Sequence, residues 1–142
     1  METNIRNKCK AYTSLEQSRK LAEILQLESA DMFYNEEPDE TYPKNIVDTE
    51  YPMVLREGHI RFLEEYGIPC WSLAALLNVI PQEIFDGEYI LNITEGCDNR
   101  WVLTYDHFEN RHHSYYGLSS GADNLVDACY EMIIKLHELK LL

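Results

Sequence analysis

The chain has 142 residues, 45% of them hydrophobic, and a formal net charge of −13. That length fits one domain able to bury roughly two thirds of its unfolded surface, and the apolar fraction excludes wholesale disorder. The charge argues against binding to phosphate backbones or anionic lipid, and leaves open a basic protein partner or an acidic decoy that occupies a nucleic-acid-binding protein.

Residues 1–12 are polar and expected to fray, with no apolar core of signal-peptide type. A helix then opens at Thr13 or Ser14, because Thr13 to Glu16 and Ser14 to Gln17 both match capping-box spacing. Leu15, Ala22 and Leu25 share its inner face, Leu21 and Ile24 flank it, and it is expected to end near Leu27. Ser29 to Tyr34 reads as an extended connector that brings Met32 and Phe33 to the core. Residues 35–52 hold three prolines, six acidic residues and one lysine without a period of 2 or 3.6, so an acidic loop is expected there. Glu36, Glu37, Asp39 and Glu40 lack the fixed alternation and glycine of a calcium loop. Val54 to Tyr66 is ambiguous, with a helical turn or two ending at Gly67.

Ile68 to Pro81 is the most apolar run of the chain. Two prolines bracket it, Ser72 can cap a helix, and Leu73, Leu76, Leu77 and Ile80 fall on one helical face. The spacing predicts a central buried helix. After a short polar turn the period changes to 2. Tyr89, Leu91 and Ile93 alternate with Ile90, Asn92 and Thr94, and Trp101, Leu103 and Tyr105 with Val102, Thr104 and Asp106. A third strand is expected over Arg111 to Gly117, with His113 and Tyr115 on one side and His112, Ser114 and Tyr116 on the other. Short turn-rich breaks make the three an antiparallel meander. Ser119-Ser120-Gly121 is expected to break the third strand. Asp123 or Asn124 then caps a last helix that runs to about Leu139 and buries Leu125, Cys129, Met132, Ile133 and Leu136. The fold expected is a single α+β domain: a three-stranded antiparallel meander packed against a central and a C-terminal helix, with an N-terminal helix.

The four cysteines, Cys9, Cys70, Cys97 and Cys129, form no CxxC pair, so a reduced cytoplasmic protein without disulfides is expected. Cys70 beside Trp71 lacks the electropositive setting of a nucleophile. His112 and His113 alternate across a strand and cannot share one ion. A zinc site would need His107, one of that pair, Cys97 and a ligand from elsewhere, at spacings of no closed motif. No phosphate loop, HExxH or Gly-x-Ser-x-Gly is present, and neither a cofactor nor a catalytic residue is indicated. What remains is a patch of aromatic and cationic residues on the sheet: Arg100, Trp101, Arg111, His112, Tyr115 and Tyr116. Such a mixture serves single-stranded nucleic acid or protein interfaces, and the charge of the chain favours protein.

The pieces Thr13 to Leu21, Glu28 to Met32, Pro69 to Leu77 and Ala122 to Ile133 resemble a group of small proteins from prophages and mobile elements of Bacteroides-type gut bacteria. That group has no established activity, so no functional residue carries over. The resemblance implies an accessory protein of a mobile element in a bacterial cytoplasm. Gly117 to Ala128 is also broadly similar to an antitoxin-type unit of meander and helix, a likeness of fold alone. The reading expected from all this is a non-enzymatic protein-binding accessory factor, able to self-associate, acting through the sheet or the acidic loop. The alternatives are the acidic decoy and a small metal-dependent hydrolase using His107, His112 or His113.

Overall fold

The computed structural model describes residues 10–35, 51–56 and 67–142. Most of the expected frayed start, the acidic loop between 36 and 50, the helical turns between 57 and 66, and Cys9 lie outside the described residues. The fold is α+β, with three α-helices and two antiparallel sheets among the described residues. The chain divides into two compact units. One spans Tyr12–Ala75; the other is built on Leu76–Leu142, with Lys10 and Ala11 belonging to it as well.

In the first unit α1 spans Leu15–Ala22, and its start is the Ser14 alternative: Ser14 Oγ accepts from the Gln17 N–H at 3.2 Å while Gln17 Oε1 accepts from the Ser14 N–H at 3.0 Å. The helix stops five residues before the expected end. The Glu23 N–H turns back to Lys20 O at 3.2 Å, and a 3-10 turn follows at Leu27–Ser29. The buried face is Ser18 and Leu21, and Ala22 is exposed. Ser18 can be inside because its hydroxyl meets Thr13 Oγ1 at 2.7 Å, which removes the usual penalty for an unpaired buried hydroxyl.

The sequence did not announce a second sheet. Strands β1 (Met32–Asn35), β2 (Met53–Val54) and β3 (Gly67–Cys70) pair antiparallel in the order β2-β1-β3. The expected connector is therefore a strand, and the first residues of the apolar run are strand rather than part of the helix. Pro69, opposite Phe33, is tolerated because β3 is an edge of this sheet. Tyr34, Ile68 and Cys70 form its core, with Tyr12, Leu15 and Met32 packed against them.

Helix α2 is Leu73–Val79, and the division between the units falls within it. Ser72 does cap, accepting from the Ala75 N–H at 3.2 Å. Its carboxylate partner was not foreseen: Asp31 Oδ1 accepts from the Ser72 N–H at 2.9 Å, and Asp31 Oδ2 accepts from the Ser72 hydroxyl. Of the expected stripe only Leu76 and Ile80 are buried. Leu73 and Leu77 are half-buried, so α2 is less enclosed than its composition implies.

In the second unit a short strand β4 (Glu83–Ile84) joins β5 (Tyr89–Glu95), β6 (Trp101–His107) and β7 (Ser114–Ala122) in one antiparallel sheet, in that order. The meander is thus present with a fourth strand added. Its third strand starts at Ser114 and runs through Ser119-Ser120-Gly121, which pair with Thr104, Leu103 and Val102. The expected break is strand, and its inward residue is small because a helix lies on it: the Ser120 hydroxyl donates to Ala128 O at 2.7 Å. That helix, α3 (Leu125–Glu138), is capped by Asn124, whose side chain accepts from the Asp127 N–H at 2.8 Å. It buries Val126, Ala128, Cys129, Met132, Ile133 and Leu136, while Leu125 is only half-buried. Lys10, at the near end of the expected frayed start, reaches Asp127 at 2.8 Å. Among the described residues no helix is long and apolar enough to cross a membrane.

Candidate functional site

Two connections meet at one end of the four-stranded sheet. The β4–β5 hairpin turns through Phe85, Asp86 and Gly87 at φ of 53°, 55° and 85°, closed by the Glu88 N–H on Phe85 O at 3.2 Å. Asp86-Gly87 is a hairpin signal that was present in the sequence and passed over as a polar turn. The β6–β7 connection is knotted around His107. His107 N–H donates to His113 O, and the Phe108 N–H donates to Glu88 O at 3.0 Å, which ties the two turns together.

On the inner face, rings assemble. Tyr89 lies 5.2 Å from Tyr115, 5.5 Å from His107 and 6.0 Å from His113, while Phe85 lies 5.1 Å from Tyr115. Phe108 stacks on His107 at 5.0 Å. Edge and tilted contacts of this kind add about 0.5–1.5 kcal/mol per pair to ordinary burial, so the turns have a rigid floor. His113 and Tyr115 do face the same side, as the alternation required, although only Tyr115 is in the strand. Beside the cluster a cleft of about 150 Å³ is lined by Ile90, Leu91, Asn92, Asp106, His107, Phe108 and Arg111.

β7 leaves the ladder here. Between the Thr104–Ser119 and Asp106–Ser114 pairs, Tyr115 to Leu118 stand opposite Tyr105 alone. The excess forms a bulge in which Gly117 takes φ 82°. The bulge turns Tyr116 into solvent, where it is 98% exposed.

The six residues of the expected patch are therefore divided. Arg111 and His112 lie in the β6–β7 connection and Tyr115 and Tyr116 in the bulge beside it. Arg100 and Trp101 start β6 at its other end, six residue steps or about 20 Å away along the strand. Trp101 pairs with Glu95 and Ala122, and the Arg100 guanidinium donates to Gly121 O at 3.0 Å. Phe85, Phe108 and Tyr89 were missing from the expected patch, because nothing local in the sequence shows that the two turns meet.

His107 approaches Glu88, with Nε2 to Oε1 at 3.9 Å, and the His107 and His113 rings are 6.5 Å apart. Nδ1 of His107 faces two donors, the N–H groups of Glu109 and Asn110, both at 3.3 Å. A neutral imidazole with an accepting Nδ1 carries its proton on Nε2, so that atom has no lone pair for a metal. Among the described residues, no three His, Cys, Asp or Glu side chains gather as they would around an ion. Cys70 and Cys129 are buried free thiols whose ionisation burial pushes up, to about 12 for Cys129; Cys97 is exposed in the β5–β6 turn. No protein-family model matches this chain, and no curated protein or solved structure is significantly similar to it.

Proposed function

We propose that the chain is a non-enzymatic protein-binding module that meets its partner at the turn end of the four-stranded sheet. The observation behind this reading is the display of large rings there: Phe85 is 42% exposed, Phe108 50% and Tyr116 98%. Aromatic side chains on a rigid base supply contact area at low entropic cost, and they dominate interface energetics. In the hydrolase alternative, built on His107, His112 or His113, ligation by His107 through Nε2 is opposed by the two N–H groups on its Nδ1. The accessory role in a phage or mobile element rests on the resemblance of helix starts and core segments alone.

A photoreactive phenylalanine analogue at position 116, against the same analogue at position 98 in the opposite turn, tests the site. A discrete adduct with one protein of a bacterial lysate should form at 116, be competed by unlabelled protein, and be lost when Phe85 and Phe108 are both replaced by alanine. Equal labelling at both positions, or labelling that unlabelled protein does not reduce, would remove the reading.

A further inference from the structure

The charged side chains of the turn end that carries the rings are mostly acidic. Glu83, Asp86, Glu88 and Glu109 are exposed and lie within three residues of Phe85 or Phe108 in sequence, and Asp106 lines the same cleft as Phe108. Arg111 is the one cation among the described residues of these two connections, so the local balance is five carboxylates against one guanidinium. Asp106 spends Oδ1 on the Ser114 hydroxyl at 2.6 Å. The backbone reinforces the display: an aromatic residue at φ 53° is unusual, and such outliers persist where the surroundings hold them and gather at functional positions.

Resting on the binding reading above, we propose that the partner segment docked here is basic and presents at least one arginine to Phe85 and Phe108. The chemistry is complementary at each contact. A guanidinium is planar, stacks on an aromatic face, and offers paired N–H donors to a carboxylate. A ring face with carboxylates at its rim satisfies both needs at once. An apolar segment would leave the carboxylates desolvated and unpaired, and an acidic one would be repelled. Lysine would meet the charge without the planar stack, so arginine is preferred.

The test titrates the full chain with short peptides of alternating glycine and arginine, glycine and lysine, or glycine and glutamate, followed by backbone amide shifts. The arginine peptide should shift signals of residues 84–90 and 106–116, bind more tightly than the lysine peptide, and leave the glutamate peptide without effect. Phe108→Ala keeps the net charge and should weaken arginine binding about two- to five-fold, as loss of one exposed cation–π contact does. Glu88→Gln should weaken it as well, without removing a ring from the packed cluster. Equal affinity for arginine and lysine peptides, with no response to Phe108→Ala, would reduce the effect to general charge attraction and overturn the proposal. If the adduct at position 116 is competed by apolar or acidic peptides and not by arginine, the basic-segment proposal falls while the binding site stands. Absence of any saturable adduct at 116 would remove the binding reading, and this proposal with it.

Discussion

At the scale of single residues, Thr13 does more than its place before a helix suggests. As a cap it competes with Ser14 on equal terms in the sequence, and Ser14 takes that role. Thr13 is buried instead. Its Oγ1 accepts from the Trp71 N–H at 3.2 Å and meets the Ser18 hydroxyl, while its carbonyl accepts from Tyr34 Oη at 2.8 Å. Its own N–H donates to Trp71 O at 3.0 Å. One residue thus fastens the start of α1 to the end of β3, across 58 positions of sequence. No local pattern encodes that separation, which is why the cap was legible and the fastening was not. Thr13→Val keeps the shape and removes only the hydroxyl, leaving the Trp71 N–H and the Ser18 hydroxyl buried with a partner lost. A loss of about 1–3 kcal/mol is expected in urea unfolding. A change below about 0.5 kcal/mol would mean that Ser18 and Trp71 find other partners.

Among elements, the informative case is β7. The alternation of β5 and β6 was readable because one face is buried and period 2 follows directly. β7 departs from its sequence pattern at both ends. Its start comes directly after the His-His pair, since His113 N–H is already committed to Asn110 O at 2.9 Å in the turn. Its second half holds Ser-Ser-Gly, a turn composition in which the helix on the sheet accounts for the buried Ser120. Its register jump at Tyr115 to Leu118 leaves no sequence signal except Gly117. Among the described residues β7 is an edge of its sheet, and two carbonyls of its C-terminal half are occupied by side chains. Ser119 and Gly121 are two apart, so their carbonyls point the same way, and both accept from cations: Lys135 of α3 on Ser119 O, Arg100 on Gly121 O. Lysine and arginine placed so are a known defence against strand addition. Arg100, read in the sequence as a candidate contact residue, spans to the Gly121 carbonyl in the structure. Replacing Arg100 and Lys135 together by alanine should leave the secondary structure intact and promote concentration-dependent self-association, visible by sedimentation velocity. A variant that stays at the wild-type sedimentation coefficient across the concentration range would show that the two side chains do not guard the edge.

At the scale of the whole molecule, the buried ionisable groups among the described residues are those that prefer to be neutral. Burial raises the Tyr34 and Tyr105 hydroxyls above the ordinary 10.0, and raises the Cys70 and Cys129 thiols above 9.0. The sign of the linkage follows. The folded chain keeps these protons to higher pH than the unfolded chain, so unfolding releases them and becomes easier as pH rises. Stability should be level up to about pH 9, where the thiols of the unfolded chain begin to ionise, and the tyrosines add to its decline from about pH 10. For Cys129 the loss continues to about pH 12, its folded value. Within that window each such group steepens the decline by up to about 1.4 kcal/mol per pH unit. A chain at −13 also repels itself more as further groups ionise, and that contribution differs in being screened. In about 1 M salt, where the Debye length is about 3 Å, repulsion is suppressed and the burial effect remains. Thermal midpoints measured from pH 7 to pH 11 in that salt should therefore stay level and then fall above pH 9. Cys129→Ala should start lower, because it opens a cavity, and fall less steeply. A midpoint that is flat to pH 11 in salt, or a slope that Cys129→Ala leaves unchanged, would show that these thiols and hydroxyls reach water before the chain unfolds.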